Sequence, residues 1–504
     1  MTAATAATAS ATMTASTTTS ATTERRNVTE IHTDQAVFPP DFLWGAATSA
    51  YQIEGSRTAD GTGESVWDVF VRRPGAVEGG GTGAIACDSY RRWREDIDLL
   101  RMIGLNSYRF STGWSRIMPT GRGRANAAAL DHYERQVDAL LEVGIKPLIT
   151  LNHWDMPSAL TPAPGRGGWL DRATASAFAE YAGAVTGRLG DRVGHWITQC
   201  EPWIIQLLGY QLGLHAPGVK DLARSVVAGH HVLLGHGLAA QAIAANSPAA
   251  QIGVALSLFP CVPDSDCEAD RQAAWGSDGY VNRWYLDPLA ALGYPADTRR
   301  LWEGVLAGSG AGFGTEDFIL PGDEAVIGSR LDFIGVNYYT RRVCAAAAPG
   351  AAGPFPWAVV GPRGDVPRTD EGWEIAPDAL RDLLIRLDRD YGGRPLVVTE
   401  NGAVFGDAPT HDGRVHDVRR VAFIRSHLRA IAQAMAAGAR VTGYMHWSLL
   451  DNFEWALGYR PRFGLTHVDY ASGRRTLKDS AWFYRQVAAT GTAPKEDPDY
   501  GFDG

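Results

Sequence analysis

An α/β fold, a single-domain (β/α)8 TIM barrel, is predicted by three observations. From Phe38 onward, short apolar runs alternate with amphipathic helical patterns. The alternation repeats eight times. Polar and aromatic residues suited to chemistry recur where the apolar runs end. Strands alternating with helices imply a parallel sheet. Eight such units imply a closed barrel whose site lies at the carboxyl ends of the strands. An open doubly wound sheet uses the same elements, but it would not gather residues from all these strand ends.

The strands are expected at Leu43–Ala47, Ser107–Ser111, Pro147–Leu151, His195–Thr198, Ile252–Leu258, Phe333–Val336, Leu396–Thr399 and Thr442–Trp447. Between them, Tyr90, Trp93, Ile97 and Leu100 form one helical stripe. Leu380, Leu383, Leu387 and Tyr391 form a second, and Val421, Ile424, Leu428, Ile431 and Met435 a third. Spacings of three and four residues place each set on one helix face. Gly79–Gly83, Pro349–Pro367 and Ala403–Val415 are rich in Gly, Pro or short polar residues and read as loops at the pocket mouth.

The chain has 504 residues, 45% of them apolar, enough for a large core. Length alone would suggest several domains, but α/β barrels are an exception. A net charge of −9 gives no electrostatic footprint for nucleic acid or an anionic membrane. Residues 1–36 are dominated by Ala, Thr and Ser and read as a disordered tail, followed by the barrel domain at 37–490 and a second tail at 491–504. The start lacks the basic segment and apolar stretch of a signal peptide. No apolar run approaches about 20 residues, so no membrane span is expected. Five cysteines do not look like a disulfide framework, although Cys261 and Cys267 lie close enough in sequence to leave one pair open. These features point to the cytoplasm. Sixteen tryptophans can line ligand pockets or simply fill the core.

Two segments carry the chemistry. Thr198-Gln199-Cys200-Glu201-Pro202 and Val397-Val398-Thr399-Glu400-Asn401-Gly402 each place a glutamate at the end of an expected strand. A bare carboxylate is costly to bury at such a position. Two carboxylates facing one cavity are the minimum equipment for cleaving a glycosidic bond with retained configuration.

The chain resembles glycoside hydrolase family 1, the β-glucosidase and β-galactosidase type, from about Phe38 to Val487. The matches run in order: Phe42-Leu43-Trp44-Gly45, Gln52-Ile53-Glu54-Gly55, Tyr108-Arg109-Phe110-Ser111, His153-Trp154-Asp155, and Gly209-Tyr210 through His215-Ala216-Pro217-Gly218. They continue with Asn337-Tyr338-Tyr339, Thr399-Glu400-Asn401-Gly402, Trp447 through Trp455, and Arg462-Phe463-Gly464. The resemblance implies that Glu400 is the nucleophile and Glu201 the general acid/base, with Arg109 and Tyr339 supporting the nucleophile. Gln52, His153, Trp154, Asn337, Trp447, Glu454, Trp455 and Phe463, with Cys200, are then the candidate substrate-binding residues. A negative charge at Glu454 would disfavour phosphorylated sugars. The implied partner is a small-molecule glycoside or oligosaccharide, with no cofactor and no metal, and a homo-oligomer stays open. His230, His231 and His236 share one helical segment without a matching ligand pattern and read as packing.

The chain also departs from that family. Cys200 stands where an asparagine usually contacts the sugar 2-hydroxyl, and a thiol is a weak donor and acceptor. Asn152, Ser257, Gly113 and Leu457 are further departures. Three readings stay open: an ordinary β-glucosidase, an enzyme for a 2-modified (deoxy or amino) sugar that hydrolyses or transfers it, and a repurposed barrel without hydrolysis.

Overall fold

The computed structural model describes residues 36–495 except 164, 352 and 363, so the N-terminal tail expectation falls almost wholly outside the described residues. Eight strands form a closed parallel barrel: β1 Leu43–Ala47, β2 Ser107–Ser111, β3 Lys146–Asn152, β4 His195–Cys200, β5 Gln251–Ser257, β6 Phe333–Asn337, β7 Leu396–Asn401 and β8 Val441–Trp447. Each strand pairs with its successor in sequence, and β8 closes on β1 through Gly443↔Leu43 to Trp447↔Ala47. Parallel strands covered on both faces should read as continuous apolar runs. Here every residue of β1, β2, β6 and β7 is buried.

The barrel interior is filled by Leu43, Leu148, Ile197, Phe333, Val397 and Met445, and the cluster reaches Cys200 and Trp447 at the strand ends. Leu148 is fully buried, and truncating such a leucine to alanine costs about 2–5 kcal/mol. Two glycines are required by close approach. A Cβ on Gly45 would stand 2.2 Å from the Met445 sulfur, and one on Gly402 would stand 2.0 Å from the Trp447 carbonyl oxygen. The outer layer follows the expected stripes. The helices Ser89–Ile103, Pro377–Asp390 and Val418–Ala436 bury Trp93 and Leu100, Leu380 and Leu387, and Val421 and Ile431 respectively. Proline at the first helical position and Arg389 in the last turn suit the ends of the second helix.

Pairing is regular along most of the barrel but shifts between Ile197 and Cys200 on β4 and between Val398 and Glu400 on β7. Such irregularities re-aim side chains, and these two fall next to the two glutamates singled out by the sequence.

The structure differs from the sequence expectation in three places. The connection from β5 to β6 holds several helices rather than one, among them Glu268–Asp278, Ala296–Ser309 and Asp323–Ile327. The segment read as a loop at Pro349–Pro367 contains a strand, Trp357–Val360, paired antiparallel with Arg342–Ala346. Its β-branched residues were outweighed by the flanking Pro and Gly. Ala36–Val37 pairs with Thr492–Ala493, which extends the folded unit one residue into the first expected tail and three into the second. Cys261 and Cys267 are both free. Cys261 instead faces Ser277 Oγ at 3.5 Å, and Cys267 caps a helix by accepting from the Asp270 amide. Among the described residues, no helix is long and apolar enough to cross a membrane.

Candidate active site

Glu400 lies inside β7 and is clamped from both oxygens. Arg109 Nη1, from β2, donates to Oε1 at 2.5 Å, and the Tyr339 hydroxyl donates to Oε2 at 2.7 Å. Arg109 is itself fixed by Thr150 Oγ1 at 3.1 Å and the Thr399 carbonyl at 3.1 Å. Charge-assisted bonds of this kind favour the ionised carboxylate. Burial, and next the Glu400 charge, push the Tyr339 phenol well above its ordinary range, so it stays a donor.

Glu201 has different company. It follows β4 with left-handed backbone, φ 53° and ψ 65°, held by its amide bonding the Ala255 carbonyl at 2.7 Å. Positive φ in a residue other than glycine costs on the order of 1–3 kcal/mol and clusters at functional sites. Trp154 and Trp455 share it, with φ of 76° and 51°. Asn337 Nδ2 donates to Glu201 Oε1 at 2.9 Å, and no cation pairs with this carboxyl among the described residues. Burial, and next the Glu400 charge, push Glu201 up to about 8.

Cys200 stands between the two carboxylates. Its sulfur lies 3.5 Å from Glu400 Oε1, 3.2 Å from Arg109 Nη2 and 3.6 Å from Asn337 Nδ2. Burial and then Glu400 raise the thiol far above its ordinary range, so it sits there protonated. The Cys200 carbonyl accepts from the Trp154 indole at 3.0 Å.

The remaining expected residues contact one another and the residues above. Gln52 is fully buried and donates to the Phe453 carbonyl at 3.0 Å and to Glu454 Oε2 at 3.3 Å. The His153 ring stacks on Trp447 with centroids 5.6 Å apart, and Trp154 meets Trp455 at 4.8 Å. Phe463 packs edge-on to Tyr339 at 6.0 Å. Burial, then Arg109, hold His153 neutral, and its Nδ1 has no partner among the described residues. Direct contacts thus link eleven of the thirteen candidates into one cluster, and Gln52 and Glu454 pair with each other. Sequence reasoning missed Thr399, whose hydroxyl orients Asn337 at 2.7 Å, and Asn452, which accepts from Gln52 at 3.0 Å. Both stand inside motifs already singled out, so their position was the available signal.

Glu454 was read as a negative charge, but burial, followed by Glu400, Glu201 and Glu371, raises its carboxyl to about 8. That upward push weakens the repulsion of phosphorylated sugars expected from its charge. His153, Cys200 and Glu400 each offer a ligand atom within 4.8 Å of the others. Arg109 already supplies positive charge to two of those atoms, which opposes a cation there. His230, His231 and His236 are tied to Asp323, the Trp169 carbonyl and Thr198.

The profile of glycosyl hydrolase family 1 matches residues 34–492. The β-glucosidase A of Acetivibrio thermocellus is 42% identical over 450 residues, which cover 89% of this chain and 98% of that protein. The thermostable β-glucosidase B of Thermobispora bispora is 45% identical over 455 residues, covering 89% and 90%. The solved structure of the family 1 β-glucosidase from Thermotoga maritima superposes with a TM-score of 0.85 at 38% identity, covering 92% of this chain and all of that one. The chain belongs to glycosyl hydrolase family 1 and is an O-glycoside hydrolase.

Proposed function

We propose that the chain hydrolyses a terminal, non-reducing β-D-glucosyl residue by a retaining double displacement. The observation that carries the reading is the unequal treatment of the two glutamates. Glu400, held by Arg109 and Tyr339, attacks the anomeric carbon. Glu201, protonated near neutrality, gives its proton to the departing glycosidic oxygen. A glycosyl-enzyme ester on Glu400 results. Glu201, now ionised, takes a proton from water, whose oxygen attacks the anomeric carbon and releases the sugar with Glu400 restored. Gln52, His153 and Glu454 offer polar atoms for the sugar hydroxyls, and Trp447 and Trp455 offer aromatic faces. Relatives named β-glucosidases favour an ordinary glucoside over a 2-modified sugar or a barrel without hydrolysis. Five unpaired cysteines suit a reducing compartment, and the reading places the enzyme in the cytoplasm. Proton NMR of the first-formed product tests the reading: β-glucose must precede its mutarotated form, and α-glucose first would refute retention.

A further inference from the structure

The leaving group must depart past Glu201, because that carboxyl protonates the glycosidic oxygen in the function proposed above. What lies there can be read from the chain. Trp203 is two residues beyond Glu201. Phe259 is two residues beyond Ser257, which ends β5. Arg342 is three residues beyond Tyr339, and its amide bonds the Pro260 carbonyl at 2.9 Å. These residues follow the ends of β4, β5 and β6, the end of the barrel where Glu201 lies.

Their side chains meet. The Trp203 and Phe259 rings pack edge to face at 5.4 Å, and the Arg342 guanidinium carbon lies 5.5 Å from one ring centre and 5.7 Å from the other. Arg342 is half-buried, and its Nε is a buried donor without a hydrogen-bond partner among the described residues. No described carboxylate pairs with it. Asp278, the acid that shares with Arg342 an influence on the Cys261 and Cys344 thiols, is taken by Arg283 at 3.0 Å and Arg386 at 2.6 Å. Most arginines of this chain are spent in ion pairs with Asp or Glu, whereas this one is flanked by aromatic faces and left with free donors. A guanidinium presents a fork of N–H groups matched to a carboxylate, and rings beside it suit a flat apolar group.

We propose that Trp203, Phe259 and Arg342 form a subsite for an aromatic leaving group carrying a carboxylate, with Arg342 as the residue that selects the charge. The inference deepens the β-glucosidase reading and rests on it. The test is binding of the non-cleavable 4-carboxyphenyl β-thioglucoside and of its methyl ester, by calorimetry, to wild type, Arg342→Gln and Arg342→Lys. Wild type should bind the acid about tenfold more tightly than the ester. The ratio should fall to about one in Arg342→Gln and stay intermediate in Arg342→Lys, with thermal midpoints confirming that both variants fold. An equal acid-to-ester ratio in wild type and Arg342→Gln, or a wild-type preference for the ester, would overturn the proposal. If neither thioglucoside binds wild type, the glucoside reading fails instead. Benzoate against benzamide then decides the role of Arg342 alone: benzoate must bind more tightly to wild type and lose that advantage in Arg342→Gln.

Discussion

Glu400 and Glu201 face one pocket from two strand ends, yet their surroundings are opposite. Glu400 receives a guanidinium at 2.5 Å and a phenol at 2.7 Å. Glu201 receives an amide at 2.9 Å and, among the described residues, no cation, and it is pushed up to about 8 by burial and then by Glu400 itself. The difference teaches how one residue type fills two roles. Donors of positive character fix one carboxylate as an anion, and that anion helps keep the other protonated.

The largest effect should come from removing the anion. Glu400→Gln deletes the nucleophile while keeping its shape, so kcat should fall by about 10⁵-fold, ~7 kcal/mol of barrier, with the thermal midpoint preserved. Turnover near the wild-type rate would break the assignment. Glu201→Gln comes next. Loss of a general acid costs about 10²–10⁴-fold, and the loss must grow as the leaving group becomes more basic. The active form of Glu201 carries the proton, so wild-type activity should fall as pH rises through about 8, and that limb should vanish in the variant. A loss independent of the leaving group would remove Glu201 from the acid role.

Tyr339→Phe takes one hydrogen bond from a charged group, worth about 1.5–3 kcal/mol, so kcat should drop about 10- to 100-fold. An unchanged kcat would mean that Arg109 holds Glu400 alone. The smallest effect is expected at Cys200. The thiol bonds only weakly to Glu400 at 3.5 Å, and a carboxamide is a better donor. Cys200→Asn should raise activity on an aryl β-glucoside by less than about tenfold, as a gain of one neutral hydrogen bond allows. A fall would show that the pocket is built around the sulfur.

Much of this was legible in the sequence, for physical reasons. Buried parallel strands need unbroken apolar runs, so β1 and β2 could be bounded to the residue, and the residues ending each run marked the pocket. What depends on tertiary neighbours was not legible. The upward push on the Glu454 carboxyl follows from burial and from three other glutamates set near it by the fold. The register shifts beside Glu400 and Glu201 leave no mark in periodicity. The strand Trp357–Val360 was hidden by its flanking prolines and glycines. Arg342 and Phe259 belong to no motif singled out in the sequence, and only the fold sets them together beside Trp203.

The central claim, that the charge of Glu400 helps hold the proton on Glu201, can be measured directly. Carboxyl ¹³C NMR of glutamate-labelled protein, assigned by difference against Glu201→Gln, gives the titration of Glu201 with and without Glu400→Gln. The account predicts a titration near pH 8 in wild type that moves toward lower pH when Glu400 is neutralised. A Glu201 carboxyl that titrates in the ordinary carboxylate range, or one indifferent to Glu400→Gln, would contradict it.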